Sequence, residues 1–458
     1  MCRITTSAVG SMLALAVLGV EQIPQQKDYG SLVYVAAHDS CATDKARADV
    51  VCDGTNAVPA INAVVGRMSA PDARGGKLVF FPGTYTIDSW TECIAKDGMV
   101  RRYGICIPHS QSEITFEGLG YTHKDKNTSL KMNGRGVVFV LSARLWNGME
   151  PDGHYSLLGA APKAEGELWE YSWGFFRLKD VSFSLPGNDK AITVIDGRSA
   201  SDMSCEGVQI STDAPFGDDS RVNPRCIGIR TCCGGNNARR YALEFCKVMG
   251  VGTGFHIAAE HLIMRQCVPQ RCAYGYVFGD VPFLESFPTH SGNHPVTMIN
   301  CCFEYCWYGI TLGRGHHMDP AFANTLTAID LNAEEDDGYD AYTAWKSRKL
   351  IQDISNGYWR GEITYFLTAK AKAHVPSARN LWGANLAEGA SFRTVNTAAR
   401  PDRRPSHIHD RSRFWLLRHR PQPHGLAHRD RLERIGCTVS EMFALHSQRI
   451  GRIDEHGN

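Results

Sequence analysis

The stretch VTMINC at residues 296–301, followed by Cys306 and by GITL at 309–312, decides the fold because it recurs. Two earlier copies are LIMRQC (262–267) with Cys272 and Gly275, and LEFC (243–246) with Val251 and Gly254. In all three, the second marker lies five residues after the cysteine, and the glycine lies three residues further on. Looser copies begin near residues 176 and 205.

Short strands separated by turns in a constant frame are what the coils of a parallel β-helix require. The chain length of 458 residues agrees with a solenoid, because single compact cores stop growing near roughly 250–300 residues whereas repeats pack only on their neighbours. The sequence therefore predicts an all-β solenoid.

The same frame accounts for five of the 16 cysteines. Cys246, Cys267 and Cys301 hold equivalent positions, as do Cys272 and Cys306. Since coils stack about 4.8 Å apart, we expect ladders of small buried side chains rather than metal ligands. Two pairs outside the frame could form bridges: Cys93 with Cys106, and Cys41 with Cys52.

The N-terminal part of the solenoid carries a more specific signal. Asp53-Gly54-Thr55 precedes an apolar series at helical spacing, and Gly75-Gly76 and Phe81-Pro82-Gly83-Thr84-Tyr85 follow it. The helix members are Val58, Ile61, Val64, Val65 and Met68. This arrangement resembles the N-terminal entry of the pectate-lyase superfamily of right-handed parallel β-helices, in which a capping helix covers the end of the solenoid.

The domain organisation follows from these signals. We predict a signal peptide or N-terminal arm at 1–30, the entry and capping helix at 31–90, the β-helix at 91–366 and a closing segment at 367–399. Predicted insertions are 91–106, 144–173, 279–295 and 313–340, of which 144–173 could form a flap over a groove on the side of the solenoid. The tail from 400 to 458 has twelve arginines, seven histidines and no lysine, and is either disordered or not native sequence; a basic arm for an anionic partner is the alternative.

Charge and hydropathy limit the partners. The formal net charge of +1 gives no electrostatic case for nucleic acid, and no later stretch is apolar enough for membrane insertion. Residues 8–18 follow Arg3 as in a secretory signal. An extracellular or cell-surface location follows from that reading, and a virion is the alternative.

Side-chain alternation predicts a functional face, because the middle residue of each Gly-Φ-x-Φ strand points outward. The expected outward row is Thr193, Arg230, His256, Val277 and Thr311. A second row at the loop edge is Asp196, Ala259, Asp280 and Arg314. From these rows we predict Asp280, His256 and Asp196 as catalytic residues and Arg230 and Arg314 as substrate-binding residues. Solvated polar side chains on an exposed face are the alternative.

Two loops add candidates. Asp218 and Asp219, near Asp213, are predicted substrate-binding residues, or else an ordinary turn. Polygalacturonase-like proteins of this fold carry Gly-His-Gly and Arg-Ile-Lys; this chain has Gly315-His316-His317 and lacks Arg-Ile-Lys, which argues against that assignment. His316, His317 and Asp319 form a polar loop or a metal site. The loop from 279 to 295, with Glu285, His290 and His294, lies one coil earlier.

The resemblance implies a polysaccharide as partner and a lateral groove as its site. Hydrolysis needs two carboxylates at a set separation, whereas elimination from a uronate needs a base and a cation, often calcium. We therefore predict a glycoside hydrolase or a polysaccharide lyase, with Ca²⁺ as the cofactor only of a lyase. The alternatives are a tailspike-like or adhesin-like glycan-binding protein, which would form a homotrimer, and a purely structural solenoid.

Overall fold

A computed structural model describes most of the first two thirds of the chain and separate strands beyond it. The described residues are 31–95, 98–108, 112–120, 136–162, 174–214, 221–232, 242–259, 261–286, 296–314, 324–334, 349–353, 359–367, 390–397 and 410–418. Contacts divide the chain into Met1–Arg418 and His419–Asn458, and all described residues belong to the first unit.

The described elements are short strands and three helices. In the first part of the chain they are β1 (Ser31–Ala36), α1 (Ala42–Arg47), β2 (Val50–Val51), α2 (Val58–Met68), β3 (Gly76–Phe80), β4 (Gly83–Ile87), β5 (Thr91–Ile94), β6 (Val100–Ile107), β7 (Glu113–Gly118), β8 (Val137–Leu141), α3 (Ala143–Gly148) and β9 (His154–Ala160). In the middle they are β10 (Gly174–Lys179), β11 (Val181–Leu185), β12 (Ile192–Gly197), β13 (Ala200–Glu206), β14 (Gln209–Thr212), β15 (Cys226–Cys232), β16 (Ala242–Glu244), β17 (Lys247–Met249), β18 (Thr253–Ala258), β19 (Leu262–Arg265), β20 (Val268–Gln270) and β21 (Tyr274–Phe278). The last are β22 (Val296–Ile299), β23 (Cys302–Glu304), β24 (Tyr308–Leu312), β25 (Asn324–Glu334), β26 (Lys349–Asp353), β27 (Trp359–Leu367), β28 (Ala390–Thr397) and β29 (Asp410–Arg418).

These strands stack as three parallel faces, so the fold is the predicted parallel β-helix. Face A contains β1, β3, β7, β10, β13, β16, β19 and β22. Face B contains β4, β8, β11, β14, β17, β20 and β23. Face C contains β6, β9, β12, β15, β18, β21, β24 and β26. The long strand β25 pairs with both β22 and β23 and thus joins faces A and B at that coil.

The end of the solenoid is covered by α2, as the apolar spacing predicts. Its Val58, Ile61, Val64, Val65 and Met68 are all buried in the main core. The helix begins at Val58 after Ala57, so neither Asp53 nor Thr55 caps it. The Asp53 carboxylate instead accepts hydrogen bonds from the Thr55 and Asn56 amides and fixes the preceding turn.

The repeated cysteines lie inside the solenoid as free thiols. Cys246, Cys267 and Cys301 are fully buried, and their thiols reach the previous coil. The Cys246 thiol donates to the Cys205 carbonyl at 3.4 Å, and the Cys267 thiol donates to the Leu243 carbonyl at 3.2 Å. These bonds satisfy polar groups at the tight corners of successive coils.

Outside the ladder, Cys93 and Cys106 lie with their sulfurs 3.5 Å apart, beside the antiparallel pair β5 and β6. Both are free thiols in this structure, as are Cys41 and Cys52. Neither of the two predicted bridges is therefore formed.

The corners between faces A and B share one backbone conformation. Asp180, Gly207, Phe245, Gln266 and Asn300 each connect a face A strand to a face B strand with a positive φ. The amides of the first four donate to the next coil; the Phe245 amide, for example, reaches the Arg265 carbonyl at 2.9 Å. This left-handed conformation turns the chain within a single residue, so the coil frame is kept.

Parts of the predicted insertions belong to the coils. Strands β6, β9 and β25 occupy residues that the sequence assigned to insertions at 91–106, 144–173 and 313–340. Residues 154–160 of the predicted flap therefore form a coil strand, and residues 163–173 lie outside the described residues. Within the predicted tail, β29 pairs antiparallel with β27 and β28. Among the described residues, no helix is long and apolar enough to cross a membrane.

Candidate functional site

The outer side of face C carries a row of polar side chains in consecutive coils. Backbone pairing places Asp196 opposite Arg230, Arg230 opposite His256 and His256 opposite Val277. Two sequence-predicted catalytic residues and one predicted substrate-binding residue therefore stand side by side. The neighbouring Ile229 and Phe255 point into the main core, which confirms that the row faces outward.

The predicted frame is wrong for one coil. Thr193 pairs with Ile227, and Asp196, not Thr193, is the residue opposite Arg230. The cause is the missing glycine marker: Val194 precedes Ile195 where Gly228 precedes Ile229 in the next coil. Asp196 consequently belongs to the outward row and not to the loop edge.

Residues 280–286, called the cover segment below, lie over this row. Val281 and Leu284 pack against Ile227 and Val277 in a cluster separate from the main core. The Phe283 ring stacks on Tyr274 with centroids 4.3 Å apart. As a result Asp196, Arg230 and His256 are at most 1% exposed, so they are neither a solvated face nor an open groove.

Three guanidinium groups converge beneath the cover segment; we call Arg101, Arg198 and Arg230 the arginine cluster. Arg101 is on β6, Arg230 is on β15, and Arg198 directly follows β12. Each is at most 8% exposed. The turn after β12 is fixed by the Arg198 amide, which donates to the Asp196 carboxylate at 3.0 Å.

Two carboxylates bind this cluster. Asp196 accepts hydrogen bonds from Arg198 Nη2 at 2.8 Å and from the Ser156 hydroxyl at 2.9 Å. Glu285, in the cover segment, lies 2.5 Å from Arg198 Nη1, 3.1 Å from Arg101 Nη2 and 3.4 Å from Arg230 Nη1. His154 Nδ1 lies 3.3 Å from the same Glu285 carboxylate.

The electrostatics keep both carboxylates ionised. Burial alone would raise the pKa of Asp196, but the charges of Arg198, Arg230 and Arg101 outweigh it and lower that pKa. Burial alone would raise the pKa of Glu285, but the charge of Arg198 and the hydrogen bond from His154 outweigh it and hold that pKa far below its usual range.

The two basic side chains of the row, Arg230 and His256, have lowered pKa values because burial disfavours their charged forms. Burial, reinforced by the nearby charge of Arg198, lowers the pKa of Arg230 to about 10. Burial and the charge of Arg230 lower the pKa of His256 well below its usual value, so this imidazole is neutral. His256 Nε2 lies 3.2 Å from Gly279 O and donates to it, because a carbonyl oxygen can only accept. Within the described part of the chain, three arginines thus face two carboxylates, one positive charge more than the two carboxylates balance.

A small cleft open to solvent leads to the arginine cluster. Its lining includes the charged side chains of Arg198, Arg225, Arg230 and Glu285 and the imidazole of His154. Backbone and apolar groups complete the wall, including Gly153, Tyr155, Ala191, Ile192 and Ile227.

The remaining predicted site residues lie elsewhere. Asp280 and Arg314 exchange backbone hydrogen bonds of 2.8 and 2.7 Å, just past the ends of β21 and β24. Asp280 is half-buried and Arg314 is exposed. Asp218, Asp219, His290, His294, His316, His317 and Asp319 lie outside the described residues.

Three site residues were missed from the sequence. Arg101, His154 and Arg198 belong to no recognised repeat position, and Glu285 was noted only as part of a long loop. Arg198 lies two residues after Asp196, which pairs with Arg230. Aligning β12 with β15 in this register would have indicated that Arg198 lies beside the row. Arg101 and His154 pair directly across β6 and β9, two strands that the sequence assigned to insertions.

Calcium, which the resemblance implies for a lyase, does not fit the arginine cluster. Calcium requires six to eight oxygen ligands, whereas both carboxylates here are engaged by guanidinium groups. A cation in this place would also face three arginines. Among the described residues, no group of three or more His, Cys, Asp or Glu side chains could hold a metal ion.

Comparisons with known proteins add little. No protein-family model matches the chain, and no curated protein matches it. A search of solved structures finds Escherichia coli YbhC, which is 12% identical over 70% of this chain and 75% of that chain, with a TM-score of 0.28. That likeness carries no argument about function, so the strand pairing described above defines the parallel β-helix.

Proposed function

We propose that this chain is a carbohydrate-active β-helix protein that binds an acidic polysaccharide, with a carboxylate of the glycan entering the cleft on face C. One observation carries the proposal: among the described residues, three buried guanidinium groups and two carboxylates meet at the end of a cleft. Guanidinium groups bind carboxylates through paired hydrogen bonds, and buried charges bind more strongly than exposed ones.

The charge pattern favours elimination over hydrolysis. Glycoside hydrolysis needs a carboxylic acid that stays protonated, which requires a raised pKa. Asp196 and Glu285 both have lowered pKa values. Burial lowers the pKa of Arg230 to about 10, so this group becomes the candidate base for a proton next to a uronate carboxylate once it has released its own proton to solvent. We therefore propose a polysaccharide lyase as the enzyme and not a glycosidase.

Glycan binding without catalysis is the second candidate. The burial of Arg230, Asp196 and His256 under the cover segment supports it, because a reacting sugar must touch the base. In that case the cleft contributes affinity for the acidic chain, and the solenoid presents it. An extracellular or virion location and a homotrimer remain part of this proposal.

The test is a binding and activity panel with polygalacturonate, alginate and neutral dextran. We expect binding of the acidic polymers that weakens with salt, and none of dextran. Arg225→Ala, at the cleft wall, should weaken binding about tenfold or more, since charged hydrogen bonds contribute about 1.5–3 kcal/mol. The matched control is Arg177→Ala, whose side chain pairs with Glu113 on face A.

The readouts separate the candidates. Unsaturated sugar ends, detected by absorbance, would establish the lyase; binding without new ends would establish the non-catalytic protein. Equal binding of dextran and polygalacturonate, or no binding of either acidic polymer, would overturn the proposed function.

A further inference from the structure

The side chain of Glu285 occupies the place where an external carboxylate would bind. Arg101, Arg198, Arg230 and His154 all lie within 3.4 Å of its carboxylate oxygens. Four cationic or hydrogen-bonding side chains on one carboxylate form a built anion site. The glutamate supplies that anion from within the chain.

The backbone of the cover segment is held separately from this side chain. Arg230 Nη2 donates to the carbonyl of Glu285 at 2.7 Å and to that of Ser286 at 3.3 Å. The apolar contacts of Val281 and Leu284 secure the preceding residues. The carboxylate can therefore leave the cluster by side-chain rotation while the backbone stays in place.

Access and free bonding capacity support exchange. The Glu285 side chain is 26% exposed, whereas those of Arg198 and Arg230 are 8% and 2% exposed. Arg198 Nε and Arg101 Nη1 are buried and make no hydrogen bond within the described part of the chain. An incoming carboxylate thus finds donors that Glu285 does not use.

We infer that Glu285 is an internal competitor for the ligand carboxylate, and that an acidic ligand binds by displacing this side chain from the arginine cluster. The inference rests on the proposed function for the identity of the ligand, and deepens it by naming how the site is regulated. A tethered carboxylate acts at a high effective concentration. Its presence lowers the apparent affinity for the ligand and restricts the site to anions that bind better than a glutamate side chain.

Chemical rescue tests the carboxylate position without any glycan. Glu285→Ala removes the atoms of one acetate group, so acetate is the probe. We expect a lower Tm for this variant than for the wild type, and a rise in its Tm with sodium acetate that sodium chloride of equal ionic strength does not give. Glu113→Ala, which breaks the surface pair with Arg177, is the matched control and should show no acetate-specific rise.

Glu285→Gln keeps the shape of the side chain and removes its charge. This second variant tests the inference even if Glu285→Ala does not fold. We expect it to bind polygalacturonate about tenfold more tightly than the wild type. If the wild type binds polygalacturonate, unchanged or weaker binding by Glu285→Gln would overturn the inference; in every case, equal effects of acetate and chloride on Glu285→Ala would overturn it. Acetate rescue without binding of any acidic polymer would uphold it as a carboxylate site and overturn the polysaccharide function.

Discussion

Arg198 Nη2 donates to the Asp196 carboxylate at 2.8 Å, and both side chains are buried beneath the cover segment. Asp196→Asn would leave three arginines facing Glu285 alone. Removing one partner of a buried pair costs about 3–5 kcal/mol, so we expect a loss of that size in the free energy of unfolding. Urea denaturation followed by circular dichroism measures it.

The surface pair of Arg177 and Glu113 is the control for this measurement. Its side chains are 38% and 48% exposed, and exposed pairs contribute about 0–1 kcal/mol. Glu113→Gln should therefore change the urea midpoint little. If Asp196→Asn were as mild as Glu113→Gln, the arginine cluster would not be the buried charge network that these distances describe.

The neutral, buried His256 makes the stability of the fold depend on pH. Its pKa in the folded state is lowered below that in the unfolded chain, about 6.5. As pH falls below that value the unfolded chain gains a proton and the folded chain does not, so stability falls by up to about 1.4 kcal/mol for each pH unit. We expect His256→Gln to reduce this loss between pH 7 and pH 5.

Comparing the stability of the wild type with that of His256→Gln across pH separates the contribution of His256 from those of the other histidines. Asp196 and Glu285 do not interfere, because their pKa values are lowered and their contributions are complete above about pH 5. The groups that face His256 are Arg230, Arg198 and Glu285. Parallel stability curves for wild type and His256→Gln would show that His256 is protonated equally in both states.

The sequence sufficed for the coil frame but not for the site. Side-chain alternation and the cysteine spacing identify the core, because inward positions must be apolar and small at tight corners. They place Arg230 and His256 in one row correctly. The frame failed at Val194, where the glycine that marks the next four coils is absent.

The site itself depends on long-range contacts that have no local signal. Glu285 meets Arg101 across 184 residues of chain, and nothing near either residue specifies the other. The cover segment explains why the outward row is buried. Alternation predicts the direction of a side chain but not whether a loop returns to cover it.

The glycines at the start of the face C strands are required by close packing between coils. A β-carbon at Gly254 would lie 2.7 Å from the Gly275 carbonyl oxygen and 2.7 Å from Pro269 Cβ. We expect Gly254→Ala to destabilise the protein by about 1–3 kcal/mol, as overpacking does. Gly66 in α2 has nothing within 4 Å of such a carbon, so Gly66→Ala should stabilise by up to about 1 kcal/mol. The two alanine variants, compared by urea denaturation, should therefore shift in opposite directions.

Phe245 is a bulky residue in a corner conformation that suits asparagine or glycine. Its φ is 56°, in the left-handed region, which costs residues with a β-carbon roughly 1–2 kcal/mol. The ring is 50% exposed, so little burial offsets that cost. The equivalent corner one coil beyond Gln266 is Asn300, which already has the favoured residue type.

We expect Phe245→Asn to raise the free energy of unfolding by about 0.5–1 kcal/mol, because asparagine adopts this conformation more readily. Phe245→Ala removes the same ring but keeps the strain, so it should not stabilise. If both variants destabilised the protein equally in urea, the ring would contribute more than the backbone strain costs.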